Sequence, residues 1–272
     1  MNGRRAIVGL CMLCALLVSA FAAQSASAVG TTAFTCTKDA PTKDRFGEHC
    51  LTSGTPLEYG HKEIAQDTTT ELSGTNAKTL NNTTESSSGI LKVTVGGIPL
   101  ELKAATVTGS GWMENKKNGA GEHYAHGKGT ITFSGVTVVN PPERGCKVTT
   151  DNEPAPGTMG EEGVVHTREL TATTEGKGDF LTFRAADEGN FANFFVTCEK
   201  KLEAVEGTWS CSGSVLGVPN GATTEFTHTK TTEAPNTLKC RGSKAGIEGK
   251  LTLSGRAKGD TGAYTPLAVT TK

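Results

Sequence analysis

The stretch LKVTVGGIPLEL, residues 91–102, decides the fold, because apolar and polar residues alternate on both sides of a two-glycine turn. Gly96 and Gly97 fit the two turn positions that need a positive φ. A slip of one residue would turn the Leu and Val face to water, so the register is strongly specified. Pro99 lacks an N–H, which favours an edge position for its strand or a solvent-facing nitrogen. The sequence therefore predicts a β-hairpin with matched partners across it: Val95 with Ile98, Val93 with Leu100, Leu91 with Leu102, and Lys92 with Glu101.

The remainder of the chain shows similar short alternating runs, separated by turn residues. Thr, Val, Phe and Ile dominate these runs and 34 glycines supply many of the turns, while no window keeps the 3.6-residue period of a helix. In residues 130–138 the alternation survives only if Gly135 absorbs a bend or bulge, as happens in curled sheets. We therefore expect an all-β, mostly antiparallel fold stapled by disulfides. It is either a sandwich or a partly closed barrel, built as one assembly or as two consecutive β halves.

Residues 1–28 have the three-part layout of a secretory signal peptide. Arg4 and Arg5 precede an apolar stretch over residues 6–23, and Ala26-Ser27-Ala28 offers the small residues needed for cleavage. This leader is also the only segment of the sequence that is long and apolar enough to cross a bilayer. We therefore expect Sec-dependent export, a secreted or extracellular mature chain, and no membrane span after cleavage.

Beyond the leader, we expect an N-terminal disulfide loop over residues 29–56 and an all-β assembly over residues 57–272. Two turn-rich stretches, residues 115–121 and 151–163, are predicted to be loops of some length. Each is either a long hairpin loop within one assembly or a linker, so a sub-boundary near Asp151 stays open.

Charge excludes two classes of partner. The leader carries two arginines and no acids, so the 244 residues after it hold 25 Lys and Arg against 28 Asp and Glu, a net charge of −3. Both signs are interspersed along the chain, and no basic patch is present to bind nucleic acid or anionic lipid. We expect neither as a partner.

Six cysteines follow the leader, and an oxidising compartment favours disulfides over free thiols. Cys36 and Cys50 bracket a segment that is too polar to hold itself together by burial, so we expect a bond between them. The other four allow three pairings. A bond between Cys198 and Cys211 would clip a hairpin, whereas Cys146–Cys198 with Cys211–Cys240 would join strands distant in sequence. No CxxC follows the leader, which argues against structural zinc.

Several phrases of the chain resemble a group of uncharacterised exported bacterial proteins, which are rich in strands and present as many divergent copies. The phrases are ITFSGVTV (131–138) with CKV (146–148), GDFLTF (178–183) with FA (191–192) and VTC (196–198), GAT (221–223) with FTH (226–228), and KAGIEGKLTLSG (244–255). The resemblance implies the pairing Cys146–Cys198 with Cys211–Cys240. It implies no activity and supplies no catalytic residues.

Motifs for catalysis and metal binding are weak. His123 and His126 form a close pair, yet residues three apart on a strand point to opposite faces, so we expect a surface strand rather than a metal site. No GxSxG or HExxH motif occurs. Residues 151–153 and 161–162 offer carboxylates for calcium in an order that matches no known calcium loop, and a solvated acidic turn is favoured.

Two further kinds of candidate residue remain. Carboxylates distant in sequence can converge in space for glycoside cleavage, the candidates being Asp179, Glu199, Glu206 and Glu225. Trp209 stands next to Cys211 on a patterned strand and is expected in the core. Trp112 stands beside a predicted loop and is the candidate for an exposed ligand contact.

The glycine turns, the threonine-rich strand faces and the cystines are all explained by the need for a stable fold outside the cell. No remaining cluster of residues indicates catalysis or metal binding. We therefore expect a non-enzymatic binding or structural module, secreted or associated with the cell envelope, without cofactor or metal. Its partner would be an unknown extracellular ligand or envelope component. The alternative is a secreted hydrolase acting on polysaccharide, which paired carboxylates in a deep cleft would favour.

Overall fold

The structure of the protein, a computed structural model, describes residues 32–38, 45–47, 50, 57–76, 89–151, 159–176, 180–226 and 237–270. The expected signal peptide, residues 1–28, lies outside the described residues. Within them the chain forms twenty strands and one short 3-10 turn, and no α-helix. Every ladder between two strands is antiparallel. The all-β prediction is confirmed.

The strands are β1 Thr32–Thr37, β2 Gly60–Glu63, β3 Thr70–Asn76, β4 Ile90–Val95, β5 Ile98–Lys103, β6 Thr106–Lys117, β7 His123–Ser134, β8 Thr137–Asn140, β9 Cys146–Asp151, β10 Met159–Glu162, β11 Val164–His166, β12 Leu170–Thr173, β13 Leu181–Ala185, β14 Asn190–Cys198, β15 Gly207–Ser212, β16 Ser214–Asn220, β17 Thr223–Phe226, β18 Lys239–Cys240, β19 Ser243–Ala257 and β20 Thr265–Thr270. The 3-10 turn, Pro142–Arg144, lies between β8 and β9.

Eight of the strands pair in a ring. Their order is β3, β6, β7, β12, β13, β16, β17 and β19, and β19 pairs back with β3. Alternate residues face inward, among them Met113, Leu170 and Leu181, which are at most 2% exposed. Of the two expected architectures, the barrel is the one that this curled sheet matches.

A second curled sheet continues from the first. Its order is β8, β5, β4, β19, β18, β15, β14, β9 and β10. β19 belongs to both sheets, since residues 243–248 pair with β18 and β4, and residues 249–257 pair with β17 and β3. Strands from both sides of Asp151 pair with each other, β7 with β11 and β12, and β9 with β14.

The hairpin of residues 91–102 forms in the predicted register, as β4 and β5. Gly96 and Gly97 have φ values of 56° and 79°, the positive values that the turn requires. β5 is not an edge strand, because it also pairs with β8. Pro99 lies beyond the last β5–β8 pair and is exposed, so its missing N–H costs no ladder hydrogen bond.

The two predicted loops are shorter than expected, and that prediction was wrong in its bounds. Asn115 lies in β6, which continues to residue 117, and the turn occupies only residues 118–122. In the second stretch Asp151 ends β9, and β10 pairs with β9 as its hairpin partner. The polar run from Asn115 suggests a loop by composition. In the structure, the Asn115 side chain makes its hydrogen bonds inside the protein.

Three disulfides join the described cysteines. Cys36–Cys50 has the expected pairing and ties β1 to the following segment. The pairing Cys146–Cys198 with Cys211–Cys240 is the one that the resemblance implies. Each of these two bonds links residues directly opposite one another on neighbouring strands, β9 with β14 and β15 with β18.

Trp209 lies in the core of the second sheet, as predicted. Its side chain is fully buried, and its ring stacks nearly parallel on that of Phe194, with 5.8 Å between centroids. The indole N–H donates a 2.7 Å hydrogen bond to the carbonyl oxygen of Val205, which satisfies the one polar atom of the ring.

Candidate functional site

An open polar groove of about 670 Å³ lies where the two curled sheets meet on the outer surface. Its walls come from β7, β9, β10, β11 and β14, from the β11–β12 connection and from the β13–β14 turn. The groove brings together six titratable side chains that are scattered along the sequence: Asp151, Glu161, His166, Arg168, Glu169 and Asp187.

Backbone hydrogen bonds fix the connection between β11 and β12 that forms one wall. The Thr167 N–H donates to the carbonyl oxygen of Ile131, and the Thr167 hydroxyl oxygen accepts from the Ile131 N–H, both at 2.9 Å. The Arg168 N–H donates to the carbonyl oxygen of Phe191 at 3.0 Å. The wall is therefore tied to β7 and to β14, so residues 166–169 hold their positions without a ligand.

Most of the charged side chains of the groove are exposed to solvent. Glu161, His166, Glu169 and Asp187 are exposed, while Asp151 and Arg168 are half-buried. Four carboxylates against one guanidinium give the groove a negative charge while the histidine is neutral. The exposed carboxylate oxygens can accept hydrogen bonds from a ligand. A general acid of a hydrolase instead needs burial that raises its pKa.

Other polar atoms add hydrogen-bonding capacity along the groove. His166 Nδ1 lies 3.0 Å from the hydroxyl oxygen of Thr132 on β7, so one ring nitrogen is already engaged. Asn193 lies at the inner side, and its Oδ1 is buried and makes no hydrogen bond. A buried acceptor without a donor is costly to the folded state.

Trp112, the predicted ligand contact, lies on the outer face of β6. It is half-buried rather than fully exposed, and its ring meets that of His126 edge-on, with 5.7 Å between the centroids. Burial is the main reason why the pKa of His126 is lowered, and the positive charge of Lys116 lowers it further. The imidazole is therefore neutral beside the indole near pH 7.

The Trp112 face is continuous with the groove. Trp112 pairs directly with Lys128 on β7, so the two side chains share the outer face. The ammonium group of Lys128 lies 3.1 Å from the carboxylate of Glu169, which lines the groove. Thr130, two residues along β7 from Lys128, also lines the groove. A single extended surface therefore runs from Trp112 into the groove.

On the other side of Trp112 the same face continues across β3 and β19. Glu71 is the direct partner of Trp112, and Arg256 is the direct partner of Glu71. Arg256 Nε donates to Glu71 Oε2 at 2.9 Å, and its guanidinium stacks 4.6 Å from the ring centroid of Tyr264. This hydrogen bond is the main cause that lowers the pKa of the Glu71 carboxyl.

The remaining sequence candidates do not gather into a site. Glu206 accepts the backbone N–H groups of Cys198 and Leu202, which gives it a structural role in the turn between β14 and β15. Glu199 packs beside Gly145, at the opposite end of β9 from Asp151. Asp179 lies outside the described residues, as does the side chain of Glu225. His166, Arg168, Glu169 and Asp187 are groove residues that the sequence did not reveal.

The interior offers less room. Cavities of about 50, 50 and 30 Å³ lie inside the curled sheets and are lined mainly by apolar side chains. Sites for small-molecule ligands usually measure about 300 Å³ or more, so a ligand of that size fits the outer groove and not these cavities.

Over the described part of the chain, no group of three or more His, Cys, Asp or Glu side chains is arranged to hold a metal ion. No helix long and apolar enough to span a membrane occurs in those residues.

Comparisons with protein-family models, with curated proteins and with solved structures found no match to this chain.

Proposed function

We propose that this protein is an exported, non-enzymatic binding module whose ligand contacts the polar groove. One observation carries the proposal. The groove has a volume of about 670 Å³, it is built on hydrogen-bonded strands, and most of its charged side chains are already exposed to an incoming ligand. A preorganised polar surface of this kind binds at a low ordering cost.

The setting proposed for this activity is extracellular or at the cell envelope. Three disulfides are compatible with an oxidising compartment, and the expected signal peptide points the same way. The resemblance to exported strand-rich proteins is a further reason for this proposal.

The groove also gives a reason to keep a second candidate, a secreted polysaccharide hydrolase, because His166 lies among four carboxylates. Glycoside cleavage needs one carboxylic acid that stays protonated near neutral pH, which burial in an apolar pocket provides. Glu161, Glu169 and Asp187 are exposed instead, and the half-buried Asp151 lies in a groove lined mainly by polar side chains. The binding module is therefore the preferred function, and release of sugar is an outcome that the experiment must measure.

The test uses the exported protein and the envelope fraction of the cells that produce it. A double variant, Glu161→Lys with Asp187→Lys, reverses two groove charges. The control, Glu143→Lys with Glu203→Lys, makes the same change in net charge at exposed positions near the Cys146–Cys198 end of β9 and β14. Co-sedimentation with the envelope and the appearance of new reducing ends are measured together.

We expect the wild type and the control variant to sediment with the envelope, the groove variant to stay in the supernatant, and no new reducing ends to form. Equal sedimentation of the two variants would contradict the proposal. Reducing ends released by the wild type and lost in the groove variant would replace the binding module with the hydrolase.

A further inference from the structure

We infer that the ligand of this surface is a glycan without acidic groups. Trp112 stacks on a sugar ring, and the groove carboxylates bind the hydroxyl and amino groups of the sugars that follow. This inference rests on the proposed function and names the ligand class for the same site. It draws on three observations, namely the place of Trp112, the spacing of polar groups around it, and the sign of the charge in the groove.

Trp112 has the position that stacking requires. A pyranose ring has a C–H face that is apolar and an edge of hydroxyl groups, so a flat aromatic ring beside polar side chains matches both. Trp112 is half-buried on a strand between two partners, β3 and β7, and the edge of its ring lies against His126. Since the indole is held in place before binding, little side-chain entropy is lost when a sugar stacks on it.

Polar groups flank the indole on both neighbouring strands. Lys128 and Glu71 lie directly opposite Trp112, a spacing of about 5 Å that is close to the width of one sugar ring. Both are already held by ion pairs, Lys128 with Glu169 and Glu71 with Arg256. Carboxylates accept and ammonium groups donate, so a sugar with several hydroxyls meets both kinds of partner along the edge of its ring.

The surface is longer than one sugar. From Trp112 it passes through Lys128 and Glu169 into the groove, where Asp187 and Asn193 lie on the far wall. A chain of several sugars can therefore contact the indole and the groove at once. Two contacts on one chain raise the overall affinity because the second is made at high effective concentration.

The charge of the groove selects among glycans. Four carboxylates outnumber the Arg168 guanidinium and the Lys128 ammonium group, so the surface repels polymers that carry uronate, sulfate or phosphate groups. A glycan with free amino groups gains attraction instead, and this attraction falls as salt rises because the carboxylates are exposed. The structure thus assigns an order: amino glycans bind most tightly, neutral glycans bind less tightly, and acidic glycans do not bind.

The experiment is calorimetric titration of the exported protein with three oligosaccharides: a glucosamine hexamer, an N-acetylglucosamine hexamer and a galacturonate hexamer. At low salt we expect the glucosamine hexamer to bind about tenfold more tightly than the N-acetylated one, a difference that shrinks at high salt. The galacturonate hexamer should give no binding heat. Binding of galacturonate as tight as that of glucosamine would overturn the inference.

Two variants separate the two parts of the surface. Trp112→Ala should weaken both of the binding hexamers about tenfold or more, because each stacks on the indole. Glu161→Gln should weaken the glucosamine hexamer more than the N-acetylglucosamine hexamer and so reduce the preference for glucosamine, because one of the four groove carboxylates loses its charge. The matched aromatic control is Phe180→Ala, because Phe180 is 37% exposed and precedes β13, whereas the groove residue Asp187 follows the other end of that strand. It should bind like the wild type.

Trp112→Phe keeps an aromatic ring on β6 and guards against a folding defect in Trp112→Ala. It should melt like the wild type and retain more affinity than the alanine variant. Unchanged affinity in Trp112→Ala would contradict the inference. If no hexamer binds while envelope binding still depends on Glu161 and Asp187, the glycan inference fails and the proposed function stands; if envelope binding is also indifferent to those residues, both fail.

Discussion

The side-chain amide of Asn115 makes two hydrogen bonds to the backbone of Ala33, 82 residues earlier in the chain. Asn115 Oδ1 accepts the Ala33 N–H at 2.8 Å, and Asn115 Nδ2 donates to the Ala33 carbonyl oxygen at 2.9 Å. The same Nδ2 donates to the carbonyl oxygen of Ile64 at 2.9 Å. Both Asn115 and Ala33 are at most 1% exposed, so this side chain fastens β1 to the ring of strands.

Asn115→Leu should therefore lower the free energy of unfolding by about 3 kcal/mol, since it removes the Asn115 hydrogen bonds to the Ala33 N–H and to the Ile64 carbonyl oxygen. The Ala33 carbonyl oxygen still accepts from the Ile64 N–H at 3.3 Å. Asn118→Ala, in the exposed turn of the same hairpin, is the control and should cost about 1 kcal/mol or less, because water replaces its bonds. Urea unfolding of both variants gives the comparison. Equal losses of unfolding free energy in the two variants would show that the buried hydrogen bonds of Asn115 stabilise the fold no more than the exposed ones of Asn118.

Gly111 faces Gly129 directly across the β6–β7 ladder. A Cβ atom on Gly111 would collide with the carbonyl oxygen of Lys128 and would stand 2.6 Å from the Cα of Gly129, so two backbones would have to part. Gly111→Ala should cost about 2 kcal/mol of unfolding free energy and lower the melting temperature. Gly119→Ala, whose Cβ would meet no atom within 4 Å, should be close to neutral. An unchanged melting temperature in Gly111→Ala would mean that the strands are not so closely apposed.

The three disulfides should differ in what they contribute to stability. Cys146–Cys198 spans 52 residues and Cys36–Cys50 spans 14. In the chain-entropy account the longer loop stabilises by about 4 kcal/mol and the shorter by about 3 kcal/mol. We expect the double variant Cys146→Ala/Cys198→Ala to lose more unfolding free energy than Cys36→Ala/Cys50→Ala, measured by urea unfolding under non-reducing conditions. The reverse order would show that native contacts, and not loop length, decide these contributions.

His126 makes stability depend on pH. Burial, reinforced by the charge of Lys116, lowers its pKa below the ordinary 6.5, while Lys128 on the same strand adds to the shift and Glu114 and Glu175 oppose it. The unfolded chain then binds a proton at a higher pH than the folded one, so the contribution of His126 is complete above pH 6.5. It declines as the pH falls through that value towards the lowered pKa.

The check is urea unfolding of the wild type and of His126→Gln at pH 7.5 and at pH 5.5. The wild type should lose more free energy of unfolding than the variant over this interval, because glutamine carries no titrating proton. The free energy of unfolding of the wild type minus that of the variant should therefore be lower at pH 5.5 than at pH 7.5. The same pH dependence in both would contradict the lowered pKa of His126.

The sequence predicts the local features of this fold, such as hairpin register and strand burial, but not the contacts between residues distant in sequence. The β4–β5 register followed from alternation around Gly96 and Gly97, and the burial of Trp209 followed from its place on a patterned strand. The polar run that begins at Asn115 predicts a loop, because composition does not distinguish a buried amide from an exposed one. Only the distant partners of that amide show where it lies.

The groove had no linear signal for the same reason. Asp151 ends β9, His166 ends β11 and Asp187 follows β13. The pairing of β9 with β14, of β11 with β7, and of β13 with β7 through β12 brings the three together. Trp112 was identified from its residue type, but its link to the groove through Lys128 and Glu169 depends on the β6–β7 register. Residue types alone do not specify such contacts.

The most direct test of the account is to follow the two tryptophan indole N–H signals by nuclear magnetic resonance during titration with the glucosamine hexamer. The chain has two tryptophans, and Trp112→Phe assigns their signals. Trp112 lies on the proposed binding surface, whereas Trp209 is fully buried with its N–H bonded to Val205. If the glycan stacks on Trp112, the Trp112 signal shifts with saturation while the Trp209 signal stays in place. A saturable shift that spares Trp112, or no shift at any signal, would contradict it.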